Sequence, residues 1–164
     1  MLRSTLLCGL LFAVCGMFTG MTVMAKEGDP APDITLKDDT GADVNVASFK
    51  GKSGVVVFFY PKADTPGCTK ESCNFRDEIK AFQDKGYAVF GASRDSVEAQ
   101  AAFKKKFNLN YPLLSDSESK LATAFGFKPG ARNTAIINKD GKVEKVVLQV
   151  AAPTHATDLL KELK

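Results

Sequence analysis

The run Val55-Val56-Val57-Phe58-Phe59-Tyr60 constrains this chain most. It is apolar, β-branched and aromatic without a polar interruption, and turn residues follow it. Such a run reads as a strand buried on both faces. A strand of that kind sits inside a sheet, with further layers packed over each side. The residues after it read Pro61-Lys62-Ala63-Asp64-Thr65-Pro66-Gly67-Cys68-Thr69-Lys70-Glu71-Ser72-Cys73. From Thr65 to about Lys85 the spacing becomes helical, with Phe75, Ile79 and Phe82 on one face and Gly86 as a stop. The order is therefore strand, turn, helix, with Cys68 in the first helical turn. A helix start offers unpaired N–H groups and the positive end of its macrodipole. Both favour a thiolate, the nucleophilic form of cysteine.

The other elements fall around this unit. Ile34-Thr35-Leu36 and Val44-Asn45-Val46 flank Asp38-Asp39-Thr40-Gly41, a hairpin signal. Tyr87 to Ala92 predicts a strand. A helix begins near Asp95-Ser96, with Ala99, Ala102, Phe103 and Phe107 along its face. Leu113-Leu114 predicts a short strand, and Leu121 to Phe125 a helical turn ending at Gly126. Thr134 to Asn138 and Lys142 to Val150 flank Lys139-Asp140-Gly141, a second hairpin. Thr154 is expected to cap a last helix running to the C-terminus. Helices alternate with strands in the middle, and hairpins stand at either end. The expected fold is α/β, a mixed central sheet flanked by helices in thioredoxin-like order, with an N-terminal hairpin extension.

The chain has 164 residues and formal charge +3. Its first 25 residues read as a secretory signal peptide. Arg3 is the only charge before Lys26, Leu6 to Met24 is apolar and small, and Val23-Met24-Ala25 suits a cut after Ala25. The rival reading is an uncleaved anchor, since a span takes ~20 residues; Gly16, Thr19, Gly20 and Thr22 weaken it. A lipoprotein signal fits less well, because Val14 is large just before Cys15. Residues 26–164 form one expected domain, long enough to bury roughly two thirds of its unfolded surface. An exported, periplasmic location follows if the source is Gram-negative. Without Arg3 the net charge is +2, with both signs interspersed, so no nucleic-acid partner is implied. No later apolar run is long enough for a membrane span, and no stable membrane association is expected once the signal is removed.

Cutting after Ala25 removes Cys8 and Cys15 and leaves Cys68 and Cys73. A paired cysteine set in an exported domain is commonly structural. Here the loop is so short that crosslinking removes little chain entropy. One histidine and two such cysteines make no zinc set, and there is no phosphate loop, so no cofactor is expected. His155 is expected on the surface of the last helix, and Glu71 and Arg76 as solvated helix residues, either of which could orient Arg132.

Pro61-x-x-x-Thr65-x-x-Cys68 resembles the active-site signature of peroxiredoxins, the thiol peroxidases. The longer stretch from Phe59 through Cys73, with Phe75-Arg76-Asp77, resembles their peroxiredoxin Q branch, also called bacterioferritin-comigratory protein, an atypical two-cysteine type. Asp29-Pro30-Ala31-Pro32-Asp33, Gly91-Ala92-Ser93-Arg94-Asp95-Ser96, Tyr111-Pro112-Leu113-Leu114 and Arg132-Asn133-Thr134 extend the likeness over the rest of the chain. The resemblance implies a peroxidatic Cys68, a resolving Cys73, and roles in catalysis and substrate binding for Pro61, Thr65 and Arg132. Gly67 adds close approach for the substrate. It also implies hydrogen peroxide or organic hydroperoxides as substrates and a thioredoxin-like protein as reductant. An intramolecular disulfide needs no second subunit, so a monomer is expected. Other readings of the residues are a protein-disulfide oxidoreductase, against which C-x4-C and the lack of a neighbouring Trp count, and a non-enzymatic redox sensor or binding module.

Overall fold

The β-branched run enters the structure as β3 (Gly54–Phe59), and every residue of it is buried. The computed structural model describes residues 24–163; the predicted signal segment, Met24 and Ala25 apart, lies outside them. Before β3 come β1 (Thr35–Asp38) and β2 (Asp43–Asn45), and after it α1 (Pro66–Asp84) and β4 (Tyr87–Ser93). Then follow α2 (Val97–Phe107), β5 (Leu113–Ser115), α3 (Lys120–Ala124), β6 (Asn133–Ile137), β7 (Val143–Leu148) and α4 (His155–Glu162).

The strands form one seven-stranded mixed sheet in the order β2-β1-β5-β4-β3-β6-β7. β3 runs parallel to β4 and antiparallel to β6, so both of its edges are paired. Its alternate residues face opposite layers. Val55, Val57 and Phe59 join Phe125, Phe127 and Val143 on one side. Val56, Phe58 and Tyr60 meet Cys68, Phe75, Phe82, Phe103 and Leu159 on the other. The second side is covered by α1, α2 and α4. Its centre is aromatic: Phe58 stacks on Phe75 with centroids 4.1 Å apart, and Phe75 on Phe82 at 5.5 Å. Fully burying side chains of this size stabilises by about 1.5–3 kcal/mol each.

The predicted element types agree with the structure, and the differences are local. Val46 opens a 3-10 turn (Val46–Phe49) rather than extending β2, because the Asn45 side chain accepts from Ala47 N–H and bends the chain. β7 stops at Leu148, short of Val150. Gln149 adopts a left-handed φ of 52° and turns its N–H to Asn133 Oδ1. Thr154 precedes α4 but makes no side-chain cap. Asn74 of α1 supplies it instead: its Oδ1 accepts from Ala156 N–H at 2.8 Å, and its Nδ2 donates to Thr157 Oγ1 at 3.1 Å. The first hairpin turns on Asp38, whose carboxylate accepts from Thr40 N–H, Thr40 Oγ1 and Ala42 N–H. Burial alone would raise its pKa, but those bonds outweigh it and hold the carboxyl below its ordinary value.

Candidate active site

Cys68 is the third residue of α1 and is 1% exposed. Thr65 stands at the N-cap in extended conformation, and Pro66 takes the first helical position, where its missing N–H matters least. The N–H groups of the first turn have no partner within the helix, so their dipoles face the thiol end of α1. The turn ahead of the helix is anchored from outside. Asp95 Oδ2 accepts from Ala63 N–H at 2.8 Å and from Ser93 Oγ at 2.6 Å. Gln100, wholly buried, donates to Ser93 Oγ and accepts from the Tyr60 hydroxyl. Asp64 sits at φ 58° and pairs with Lys106.

Sheet register delivers the arginine. β6 lies antiparallel to β3 with Asn133 opposite Phe59, so Arg132 falls beside the end of β3 that leads into the cysteine turn. Its Nη2 donates to Cys68 Sγ at 3.2 Å, and its Nη1 donates to Glu71 Oε2. Burial works against the guanidinium charge, but Glu71 and Cys68 outweigh it and hold the pKa above its ordinary value. The cation is therefore permanent, forked between a carboxylate and a sulfur.

Glu71 and His155 correct the sequence reading. Glu71 is 0% exposed, not solvated. Its second oxygen, Oε1, lies 2.8 Å from His155 Nδ1. His155, expected at the surface, is 4% exposed, and its Nε2 lies 3.0 Å from Thr134 Oγ1. The reason is helical periodicity. Glu71 shares the inward stripe of α1 with Cys68 and Phe75, and His155 shares the stripe of α4 with Leu159. A buried carboxylate needs partners for both oxygens, and these two supply them. The signal was available, since a carboxylate on an apolar stripe requires an inward cation. Arg76 is half-buried and donates to Phe107 O and to Asp77, away from Arg132.

The structure places the remaining predicted site residues in different surroundings. Thr65 is half-buried, and its Oγ1 donates to Lys62 O at 3.0 Å, which leaves its lone pairs free to accept. Pro61 is exposed just after β3, outside the hydrogen-bonded set. Gly67 is half-buried; a Cβ there would stand 3.5 Å from Arg132 Nη2, an ordinary contact, so no protein packing demands the glycine. Cys73 is half-buried on α1, and both thiols are free. Residues five apart on an α-helix are separated by ~8.7 Å at Cα, whereas a disulfide takes less than ~7 Å. Among the described residues no group of His, Cys, Asp and Glu is arranged to hold a metal, and no helix is long and apolar enough to cross a membrane.

Residues 27–146 match the AhpC/TSA family. The chain is 41% identical over 154 residues to the chloroplastic peroxiredoxin Q of Gentiana triflora, covering 88% of this chain and 70% of that one. It is 39% identical over 148 residues to peroxiredoxin Bcp of Bacillus subtilis, covering 84% and 94%. A solved structure of the Xanthomonas campestris bacterioferritin comigratory protein, described for its alkyl peroxide reduction activity, superposes with TM-score 0.78 at 28% identity, covering 84% of this chain and 97% of that one. Sequence and fold thus agree on one relationship: the chain belongs to the AhpC/TSA family, among the peroxiredoxins of the Q and Bcp type, and is a thiol peroxidase.

Proposed function

We propose that the peroxidase cycle runs through Cys68 and Cys73. The observation that carries this reading is the 3.2 Å contact from Arg132 Nη2 to Cys68 Sγ at the start of α1. A cation and a helix N-terminus on one sulfur favour the thiolate. The thiolate attacks one peroxide oxygen. The O–O bond breaks, sulfur becomes a sulfenic acid, and the leaving oxygen departs as hydroxide or alkoxide and takes a proton to become water or alcohol. Arg132 offers fixed donors to the charge that passes from sulfur to oxygen. Thr65 Oγ1, with its proton committed to Lys62 O, accepts from the peroxide O–H. Pro61 walls the approach, and Gly67 leaves it open above the thiol.

Cys73 then attacks the sulfenic sulfur, expelling water and forming an intramolecular disulfide. Both cysteines lie on intact α1, so the ~8.7 Å helical spacing requires the segment between them to unwind. A thioredoxin-like dithiol restores the thiols. Hydrogen peroxide and organic hydroperoxides are the substrates; the activity described for the Xanthomonas relative supports the second. No step requires a second subunit, which supports a monomer. Export supplies the setting, with residues 1–25 as a cleaved signal and 26–164 as the mature domain. Lys26 N lies 2.8 Å from Asp29 Oδ2, an arrangement that suits a new N-terminal ammonium.

The test is intact mass after one equivalent of hydrogen peroxide. The reduced chain should lose two hydrogens, Cys73→Ser should gain one oxygen, and Cys68→Ser should stay inert. An unsubstituted chain that reacts no faster than a small-molecule thiol would reject the cycle.

A further inference from the structure

We infer that His155 is a positioning residue for the peroxidase site, and that the same contact locks α1 against the unwinding that Cys73 needs. The inference rests on the cycle proposed above. It starts from one line of side chains, buried except for the part-exposed Arg132: Cys68, Arg132, Glu71, His155, Thr134. Nη2 of Arg132 holds the sulfur at 3.2 Å, Nη1 holds Glu71 Oε2, His155 Nδ1 holds Glu71 Oε1 at 2.8 Å, and Thr134 Oγ1 meets His155 Nε2 at 3.0 Å. Glu71 and Thr134 are 0% exposed and His155 is 4%.

Direction can be assigned. An ionised carboxylate only accepts, so His155 Nδ1 carries a proton and donates. Thr134 completes the ring from the other side and fixes its plane, and the edge of the Phe75 ring packs against it with centroids 5.0 Å apart. With Oε1 tied to His155, the Glu71 carboxylate has one orientation, and that orientation presents Oε2 to Arg132. Arg132 in turn is aimed at the sulfur. His155 touches neither sulfur nor peroxide; it acts through Glu71, as outer partners act on first ligands in metal sites.

The lock follows from position. Glu71 lies between Cys68 and Cys73, inside the segment that must leave helical geometry for the disulfide to close. His155 belongs to α4, which is tied to α1 a second time by Asn74, one residue beyond Cys73. Closing the disulfide therefore pulls Glu71 away from His155. One bond thus acts with opposite signs on two steps. It speeds attack on peroxide by holding Arg132 in place, and it slows resolution by holding α1 wound. Its strength sets how long the sulfenic acid persists.

The test uses full-length protein in single-turnover mixing with hydrogen peroxide. Sulfenic acid formation is read in a Cys73→Ser background and disulfide formation with both cysteines present. His155→Gln carries its amide to the place of Nε2, so it keeps the Thr134 contact and loses the Glu71 bond. His155→Asn carries its amide to the place of Nδ1 and keeps the Glu71 bond. Loss of a hydrogen bond to a charged group corresponds to about tenfold in rate. Gln should slow sulfenic acid formation about tenfold and speed disulfide closure severalfold, while Asn stays within threefold on both. Thr134→Val, which removes only the far hydroxyl in a β-branched frame, should move both rates in the direction of Gln but less. Equal effects of Gln and Asn, or both steps slowed together, would overturn the inference, because packing alone would then account for His155. An unsubstituted chain that forms sulfenic acid but no disulfide would overturn the cycle, and the lock with it.

Discussion

Replacing Arg132 by lysine tests the electrostatics of the site most directly. The guanidinium serves Glu71 with one nitrogen and Cys68 with another. A lysine ammonium is a single point and cannot span both. Glu71 is wholly buried and the arginine side chain is 19% exposed, so the lone ammonium goes to the carboxylate, which pays most for standing unpaired. Cys68 then loses its cation. At 3.2 Å and an effective dielectric constant near 20, a guanidinium–thiolate pair is worth about 5 kcal/mol. The partial exposure of Arg132 and the competing pull of Glu71 reduce this to roughly half, and about 2.7 kcal/mol is a hundredfold in rate. The expected result is a second-order rate constant with hydrogen peroxide about a hundredfold lower, measured by rapid mixing on the Cys73→Ser background, with the melting temperature recorded alongside. A folded Arg132→Lys chain that reacts within threefold of its parent would refute the account, since charge alone would then suffice and the fork would be irrelevant.

Two further outcomes are expected. Phe75→Ala removes a fully buried ring stacked between Phe58 and Phe82, and should lower stability in denaturant by about 3–5 kcal/mol. Tyr87 is pushed up to about 12 by burial and by its bond to Glu144. Its contribution is complete below pH 10 and is lost as pH rises through about 12, so Tyr87→Phe should remove about one proton from the pH dependence of unfolding in that window.

Much of this architecture is written in short-range pattern. Val55 to Phe59 announces an interior strand because the run holds no polar residue, and Thr65-Pro66 announces a helix start because Pro66 suits the first helical position, although Thr65 makes no side-chain cap bond. The geometry around Cys68 follows from that start. What the sequence conceals is pairing across distance. Glu71 meets His155 across 84 positions, and no local spacing links them. Asn74 caps α4 from another helix, and Thr154, the local candidate, makes no cap bond. The break at Gln149 likewise depends on Asn133 across the hairpin. In each case the deciding partner lies on a different element, where periodicity carries no information.

The register of β6 has a consequence for how the chain folds. β3, α1 and β4 are contiguous in sequence and can assemble from neighbouring contacts. Arg132 cannot arrive until Asn133 pairs with Phe59 across some seventy intervening residues, and β1 likewise waits for Ser115. Closures over such separations are slow, because the loop entropy is lost before the contacts form. Cys68 is thus laid down with the early nucleus, and Arg132 joins it late. A partly folded chain carries a cysteine at a helix start without the arginine beside it, so the contact between Arg132 and Cys68 is completed only with the sheet.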